Sequence, residues 1–264
     1  MDSHADYAVL QVTYAVRRVR TSHVWADFAE LGIADEVLSM PYSFWVVRTD
    51  DGPVLIDTGF AVPEAYWVDD ADWRAVPDAL AAVGIRPEEV SRVILTHLHF
   101  DHAGSVDLFP SARIAVSRPE YEYWGSRSPE ELQAGFIDPR HLAAVRAAEA
   151  EGRLDVWDGV AEPAPGITMI PAPGHTPGQV AVLVTTAAGA VLIASDAAHF
   201  FEQVERGWRF FAHSDAEESD RSIRMLQQRA LDAGAPFIPG HDIRVSERYP
   251  PLAGPAAEFA TVLL

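Results

Sequence analysis

The chain has 264 residues, 48% of them hydrophobic, with 20 basic against 39 acidic side chains and a formal charge of −19. That is enough apolar material for one large domain, while so acidic a balance excludes binding to nucleic acid backbones and to anionic membrane surfaces. There is no cysteine, which excludes disulfides and thiolate metal ligands, and the basic residues are all arginine, with no lysine.

The first ten residues lack a basic segment followed by a long apolar run. No signal peptide or membrane span is therefore expected, and the expected location is the cytoplasm. Residues 7–20 mix β-branched and aromatic side chains as strands do. Residues 24–40, with Trp25, Phe28 and Leu31, read equally as core or as a lip over a pocket. Residues 42–48 and 54–57 read as two strands around the turn Asp50-Asp51-Gly52-Pro53. Residues 60–73 form a long loop of aromatic and acidic side chains (Tyr66, Trp67, Asp69, Asp70, Asp72, Trp73), of the kind that borders a binding site. Pro77 opens a short helix that ends near Gly84.

Val93-Ile94-Leu95 is a strand that leads into Thr96-His97-Leu98-His99-Phe100-Asp101-His102-Ala103-Gly104. In an extended segment, side chains two apart point the same way. His97 and His99 therefore aim at one point, and Asp101 and His102, one turn on, at a second point nearby. Imidazole and carboxylate suit zinc and its first-row neighbours. Four donors from one loop, with more later in the chain, suggest two ions with open positions.

Residues 112–116 read as a strand. Residues 120–137 are polar, aromatic and irregular, a candidate lid. Asp138-Pro139 opens a helix that runs to Gly152 with Leu142, Val145 and Ala148 inward. Short strands follow at 154–157 and 167–171. Pro173-Gly174-His175-Thr176-Pro177-Gly178 is a tight loop presenting His175. Residues 180–185 and 190–194 pair as a hairpin whose second strand ends at Ser195-Asp196. Phe200, Phe201, Trp208, Phe210 and Phe211 could wall an apolar substrate, fill the core or meet a second subunit. Ser214 and Glu217 fit a capping box opening a helix with Ile223, Leu226, Ala230 and Leu231 inward and Gly234 as its stop. Phe237-Ile238-Pro239-Gly240 delivers His241. His4, His23, His141 and His213 have no ligand-like setting.

His97-x-His99-x-Asp101-His102 resembles the H-x-H-x-D-H signature of the metallo-β-lactamase superfamily, and its flanks are most similar to the acyl-homoserine lactonase branch. The likeness runs from about residue 42 to residue 242. It implies an α/β fold, a four-layer αββα sandwich of two mixed sheets flanked by helices, with residues 1–264 as a single metallo-hydrolase domain. It implies two divalent ions per chain, zinc first, with iron, manganese and cobalt as alternatives. His97, His99 and His175 would hold one ion, Asp101, His102 and His241 the other, and Asp196 would span both. Asp57 would stand behind the site and accept from a ligand histidine. Gln179 replaces a histidine that many members carry, at a position that is not a ligand.

His199 is a departure. The branch has a substrate-contacting tyrosine three residues after the bridging aspartate, and histidine can still donate a hydrogen bond there. The implied chemistry is attack of a hydroxide shared by the ions on a carbonyl, with Asp101 carrying a proton to the leaving alkoxide and His199 assisting. Opening of an acyl-homoserine lactone or similar small lactone, hence quorum quenching, is expected first. Another small ester, thioester or amide, including a β-lactam, is the alternative, ahead of di-iron redox chemistry or a non-catalytic scaffold. The expected partner is a small molecule, with no nucleic acid and no membrane; a homodimer is left open.

Overall fold

The computed structural model describes residues 8–60, 68 and 71–264. Strand β1 (Val9–Arg20) is followed by two single-turn helices, α1 (Thr21–Val24) and α2 (Phe28–Leu31), and pairs back with β2 (Val37–Val47). Their ladder runs from Val9↔Val47 to Arg20↔Val37, with one irregularity between Thr13 and Ala15. Next come β3 (Val54–Ile56), the two-residue β4 (Asp72–Trp73), α3 (Val76–Ala82), β5 (Arg92–Ile94), α4 (Phe100–Ala103), β6 (Arg113–Ser117), α5 (Arg118–Gly125), α6 (Pro129–Ala134), α7 (Pro139–Ala150) and β7 (Leu154–Trp157). The second half holds β8 (Ala161–Ala164), β9 (Ile167–Pro171), β10 (Val180–Thr186), β11 (Gly189–Ser195), α8 (Phe201–Arg206), α9 (Ala216–Ala233), β12 (Phe237–Pro239), α10 (Arg244–Arg248) and β13 (Ala260–Val262).

Two mixed sheets result. One runs β13-β1-β2-β3-β5-β6-β7, with β4 also on β1, and the other runs β12-β11-β10-β9-β8. The β3-β5-β6-β7 stretch is parallel, as is β11-β12; the remaining pairs are antiparallel. Strands buried on both faces are apolar throughout, which is why Val54-Leu55-Ile56 has no polar member. Between the sheets, Trp45, Ile56 and Ile94 meet Val182, Val191, Ile193 and Ile238. On the outer face of the first sheet Leu80, Leu142 and Val145 cover Leu55 and Val93. On the outer face of the second, Ile223, Leu226 and Ala230 of α9 cover Ile170 and Leu192. Each such side chain contributes about 1.5–3 kcal/mol on burial. The four-layer αββα sandwich expected from the motif is the fold.

Several local expectations change. Residues 120–137 are helical rather than irregular: Ser117 caps α5 by accepting from Glu120 N–H, and Ser128 with Glu131 forms a capping box on α6. Trp124, Leu132 and Ile137 from this segment are core. Helix α9 is capped by Asp215, which accepts from Glu218 N–H; Ser214 instead donates to Gly174 O. Leu231 is 75% exposed, because it falls about 100° round the helix from Ala230. Residues 24–40 contain the end of α1, all of α2 and the start of β2, and Trp25 is core, packed edge-on against Phe200 and Trp208. Tyr66, Trp67, Asp69, Asp70 and His4 lie outside the described residues; Trp73 pairs with Ala15 and is exposed. Strands β8 and β13 had no counterpart in the sequence pattern.

Candidate metal centre

All seven expected donors come to one place, at the edge where the carboxyl ends of β5, β11 and β12 meet. Beyond β5 the chain runs on through His97 to His99, which is extended and immediately precedes α4, whose single turn carries Asp101 and His102. The β9–β10 loop brings His175, the end of β11 brings Asp196, and the end of β12 brings His241. The seven residues are all buried.

The donors form adjoining groups whose ligand atoms lie within 4.8 Å of one another: His97, His99 and His175; Asp101, His102, Asp196 and His241; and His175, Asp196 and His199. Asp196 reaches both sides. Its Oδ1 is 3.0 Å from His241 Nε2 and 3.3 Å from His102 Nε2. Its Oδ2 is 3.4 Å from His175 Nε2 and 3.0 Å from His199 Nε2. Asp101 Oδ2 lies 3.4 Å from His102 Nε2 and 3.7 Å from His241 Nε2.

Ring orientation is set from behind. His102 Nδ1–H donates to Asp57 Oδ2 at 2.7 Å, His175 Nδ1–H to Ala212 O at 2.9 Å, and His241 Nδ1–H to Pro41 O at 2.7 Å. His97 Nδ1 meets Thr96 Oγ1 at 3.1 Å. These bonds leave the Nε2 lone pairs turned inward. Nε2 of His97, His102 and His241 and Oδ1 of Asp196 are buried with no hydrogen-bond partner. His175 Nε2 faces His99 Nδ1 at 3.0 Å. A buried unsatisfied polar atom costs about 1–3 kcal/mol, and several converging on one spot are what a bound cation relieves. The donor set fits divalent ions of the zinc type.

For His97, His99, His175 and Asp196, protonation suits the same role, since metal ligation needs neutral imidazole and ionised carboxylate. Burial, helped by neighbouring imidazoles, holds His97 and His99 well below the usual histidine range, and burial lowers His175 too. Burial opposes ionisation of Asp196, yet His241, His199 and His102 keep it well below the usual carboxylate range. Burial likewise disfavours a charged His102, but Asp101, Asp196 and Asp57 outweigh it and raise its pKa.

Three buried residues escaped the sequence pattern. Tyr14 O–H donates to Asp101 O at 2.8 Å, from 87 positions away. Tyr42 packs edge-on to His241. Glu120, wholly buried, ties two donor loops together. Its Oε1 accepts from Leu98 N–H, between His97 and His99, at 3.0 Å and from Trp124 Nε1–H at 2.8 Å; its Oε2 accepts from Thr176 Oγ1–H at 2.7 Å and Gly178 N–H at 3.0 Å. Gly178 must be glycine, since a Cβ there would sit 2.0 Å from Glu120 N. The only signal was Glu at the third position of a capped helix, which reads as an ordinary first-turn acid.

Gln179 is buried and its side-chain amide donates to Val180 O. The centre opens on a cavity of about 540 Å³ with His99, Asp101 and His241 in its lining and Met40, Tyr42, Phe100 and Phe210 as apolar walls. His23 and Arg17 also line it. A second cavity of about 290 Å³ shares His99, His175, Phe136 and Phe211 with the first and includes His213. His23, His141 and His213 belong to none of the ligand groups.

Residues 40–241 match the metallo-beta-lactamase superfamily. An N-acyl homoserine lactonase from a Bacillus species is 30% identical over 225 residues, covering 79% of this chain and 84% of its own. A solved quorum-quenching N-acyl homoserine lactone lactonase superposes with a TM-score of 0.70 at 27% identity, over 92% of this chain and 95% of that one. A solved N-acyl homoserine lactone hydrolase, with the product N-hexanoyl-L-homoserine at its catalytic metal center, superposes with a TM-score of 0.72 at 25% identity, over 92% and 97%. With a family match across most of its length and N-acyl homoserine lactonases among its relatives in both sequence and fold, this chain belongs to the metallo-β-lactamase superfamily and is most like its N-acyl homoserine lactonase branch.

Proposed function

We propose that the protein is a metal-dependent hydrolase that opens the ring of N-acyl homoserine lactones or similar small lactones, residues 1–264 acting as one metallo-hydrolase domain. The observation that carries this is the adjoining imidazole and carboxylate groups, with Asp196 lying within 3.4 Å of both His102 and His175, on a largely apolar cavity of about 540 Å³. The 30% identity to an N-acyl homoserine lactonase points the same way. His97, His99 and His175 would hold one divalent ion and Asp101, His102 and His241 the other, with Asp196 within reach of both. Zinc is the expected metal. Such ions, when bound, acidify water towards neutral pH and polarise an ester carbonyl.

The chain's own contributions are positional. Asp57, Thr96, Ala212 and Pro41 fix the rings. Met40, Phe100 and Phe210 keep bulk water from the ring and acyl chain. Asp101, whose Oδ2 is directed at the cluster, takes the proton that the attacking water gives up and passes it to the leaving oxygen as the ring opens. The leaving oxygen stays tethered to the product, so no separate exit path for it is required.

The test is pH-monitored opening of N-hexanoyl-L-homoserine lactone, before and after chelation and after Zn²⁺ is restored. Opening that is lost with the metal and recovered with it is the expected result. An untouched lactone beside rapid hydrolysis of a chromogenic β-lactam or a thioester would overturn the substrate assignment. Wild-type turnover by thoroughly metal-free protein would overturn the metal.

A further inference from the structure

His199 also turns Nε2 towards the cluster, but its other ring nitrogen is left without a partner. In His97, His102, His175 and His241, Nδ1 is engaged from behind and Nε2 faces the cluster. In His199, Nδ1 is buried with no partner, while Nε2 is 3.0 Å from Asp196 Oδ2. A histidine that binds metal through Nε2 carries its hydrogen on Nδ1 and gives it to an acceptor. His199 has none, so ligation would bury an unsatisfied N–H, a rarer and costlier defect than an unused acceptor. The tautomer with hydrogen on Nε2 avoids this and gains a charge-assisted bond to the carboxylate.

We propose that His199 is a positioning residue for Asp196 and not a further imidazole holding the ion beside His175. Its Nε2–H donates to Asp196 Oδ2, which fixes the carboxylate's rotation and presents Oδ1 to His102 and His241. The ring is itself immobilised. Phe210 stacks on it at 3.5 Å between centroids and 19° between planes. Its backbone N–H donates to Gln203 Oε1 at 2.7 Å, and its carbonyl accepts from His241 N–H at 2.9 Å. The departure from the branch's tyrosine thus trades a group aimed at substrate for one aimed at the carboxylate shared by both ion sites. This rests on the two-ion assignment under Proposed function.

The experiment uses Co²⁺ alone, titrated into metal-free wild type, His199→Gln and His199→Phe and followed by visible absorption and calorimetry. Melting of each metal-free protein confirms that it folds. Glutamine can place an N–H where Nε2 stands, whereas phenylalanine keeps only the stack on Phe210. The expected result is a wild-type spectrum in His199→Gln. In His199→Phe the spectrum changes and the weaker Co²⁺ site loosens by about 10–100-fold, the usual effect of losing a group that orients a ligand. Altered spectra in both variants would make His199 a ligand and overturn the proposal. An unchanged His199→Phe would make it a bystander and overturn it too. Wild-type protein that takes up no Co²⁺ would overturn the two-ion assignment, and the proposal with it.

Discussion

Asp57 concentrates the residue-scale logic of the site. It is fully buried and adopts φ 62°, a left-handed conformation that few non-glycine residues take. Ser195, at φ 47°, does the same across from it and donates to it at 3.3 Å. Such strain persists only where surroundings enforce it. Here they do: Asp57 accepts from Thr96 N–H and Thr96 Oγ1–H, each at 2.8 Å, besides His102. Asp57→Asn turns one acceptor oxygen into a donor facing other donors. We expect that variant to bind Zn²⁺ about 10–100-fold more weakly, measured by competition with a chromogenic chelator; unchanged affinity would reduce Asp57 to a turn residue. Asp57 and the donors were legible in the sequence because each sits in a short motif with its own geometry. Glu120 and Tyr14 were not, since what they do depends on partners 22 to 87 positions away.

Among the elements, the parallel strands β5, β6 and β7 are laced by one carboxylate. Asp155 of β7 accepts from Arg92 of β5 at 2.8 Å and from Arg113 Nε–H of β6 at 2.9 Å. The Arg113 guanidinium, then Arg92, hold Asp155 below the usual carboxylate range. A depressed folded pKa means stability that is complete above the unfolded value and lost as pH falls through the folded one. Asp155→Asn should therefore melt below wild type at pH 7, with the gap narrowing below about pH 4. A gap independent of pH would show that packing, not charge, is at stake. The same strands were readable from their apolar runs, and α7 from its Asp-Pro start and Gly stop. Helices α5 and α6 were not, because their aromatic and acidic residues mix without a clean period: the inward side of α5 carries a buried glutamate as well as Trp124. Sequence periodicity cannot mark a polar residue as internal when its partners lie on other loops.

At the scale of the whole molecule, the candidate donors come from both sheets, from His97 after β5 to His241 after β12, so ions bound there would staple the two halves together. Ligand binding to the folded state alone stabilises by about 4 kcal/mol at 1,000 times Kd, and about 2–4 °C of melting temperature accompanies each kcal/mol in a chain of this size. Stripping the ions should lower the melting temperature by on the order of 10 °C, read by calorimetry with and without chelator; no shift would mean that the donors hold nothing. No helix among the described residues is long and apolar enough to cross a membrane. Glu120, finally, has a bearing on how the enclosure breathes. With one oxygen on the 97–99 stretch and the other on the 176–178 stretch, the two cannot drift apart without baring a carboxylate in the interior. The floor of the enclosure is thus tied together from below, while Phe136 and the half-exposed Phe211 stand where the two chambers meet.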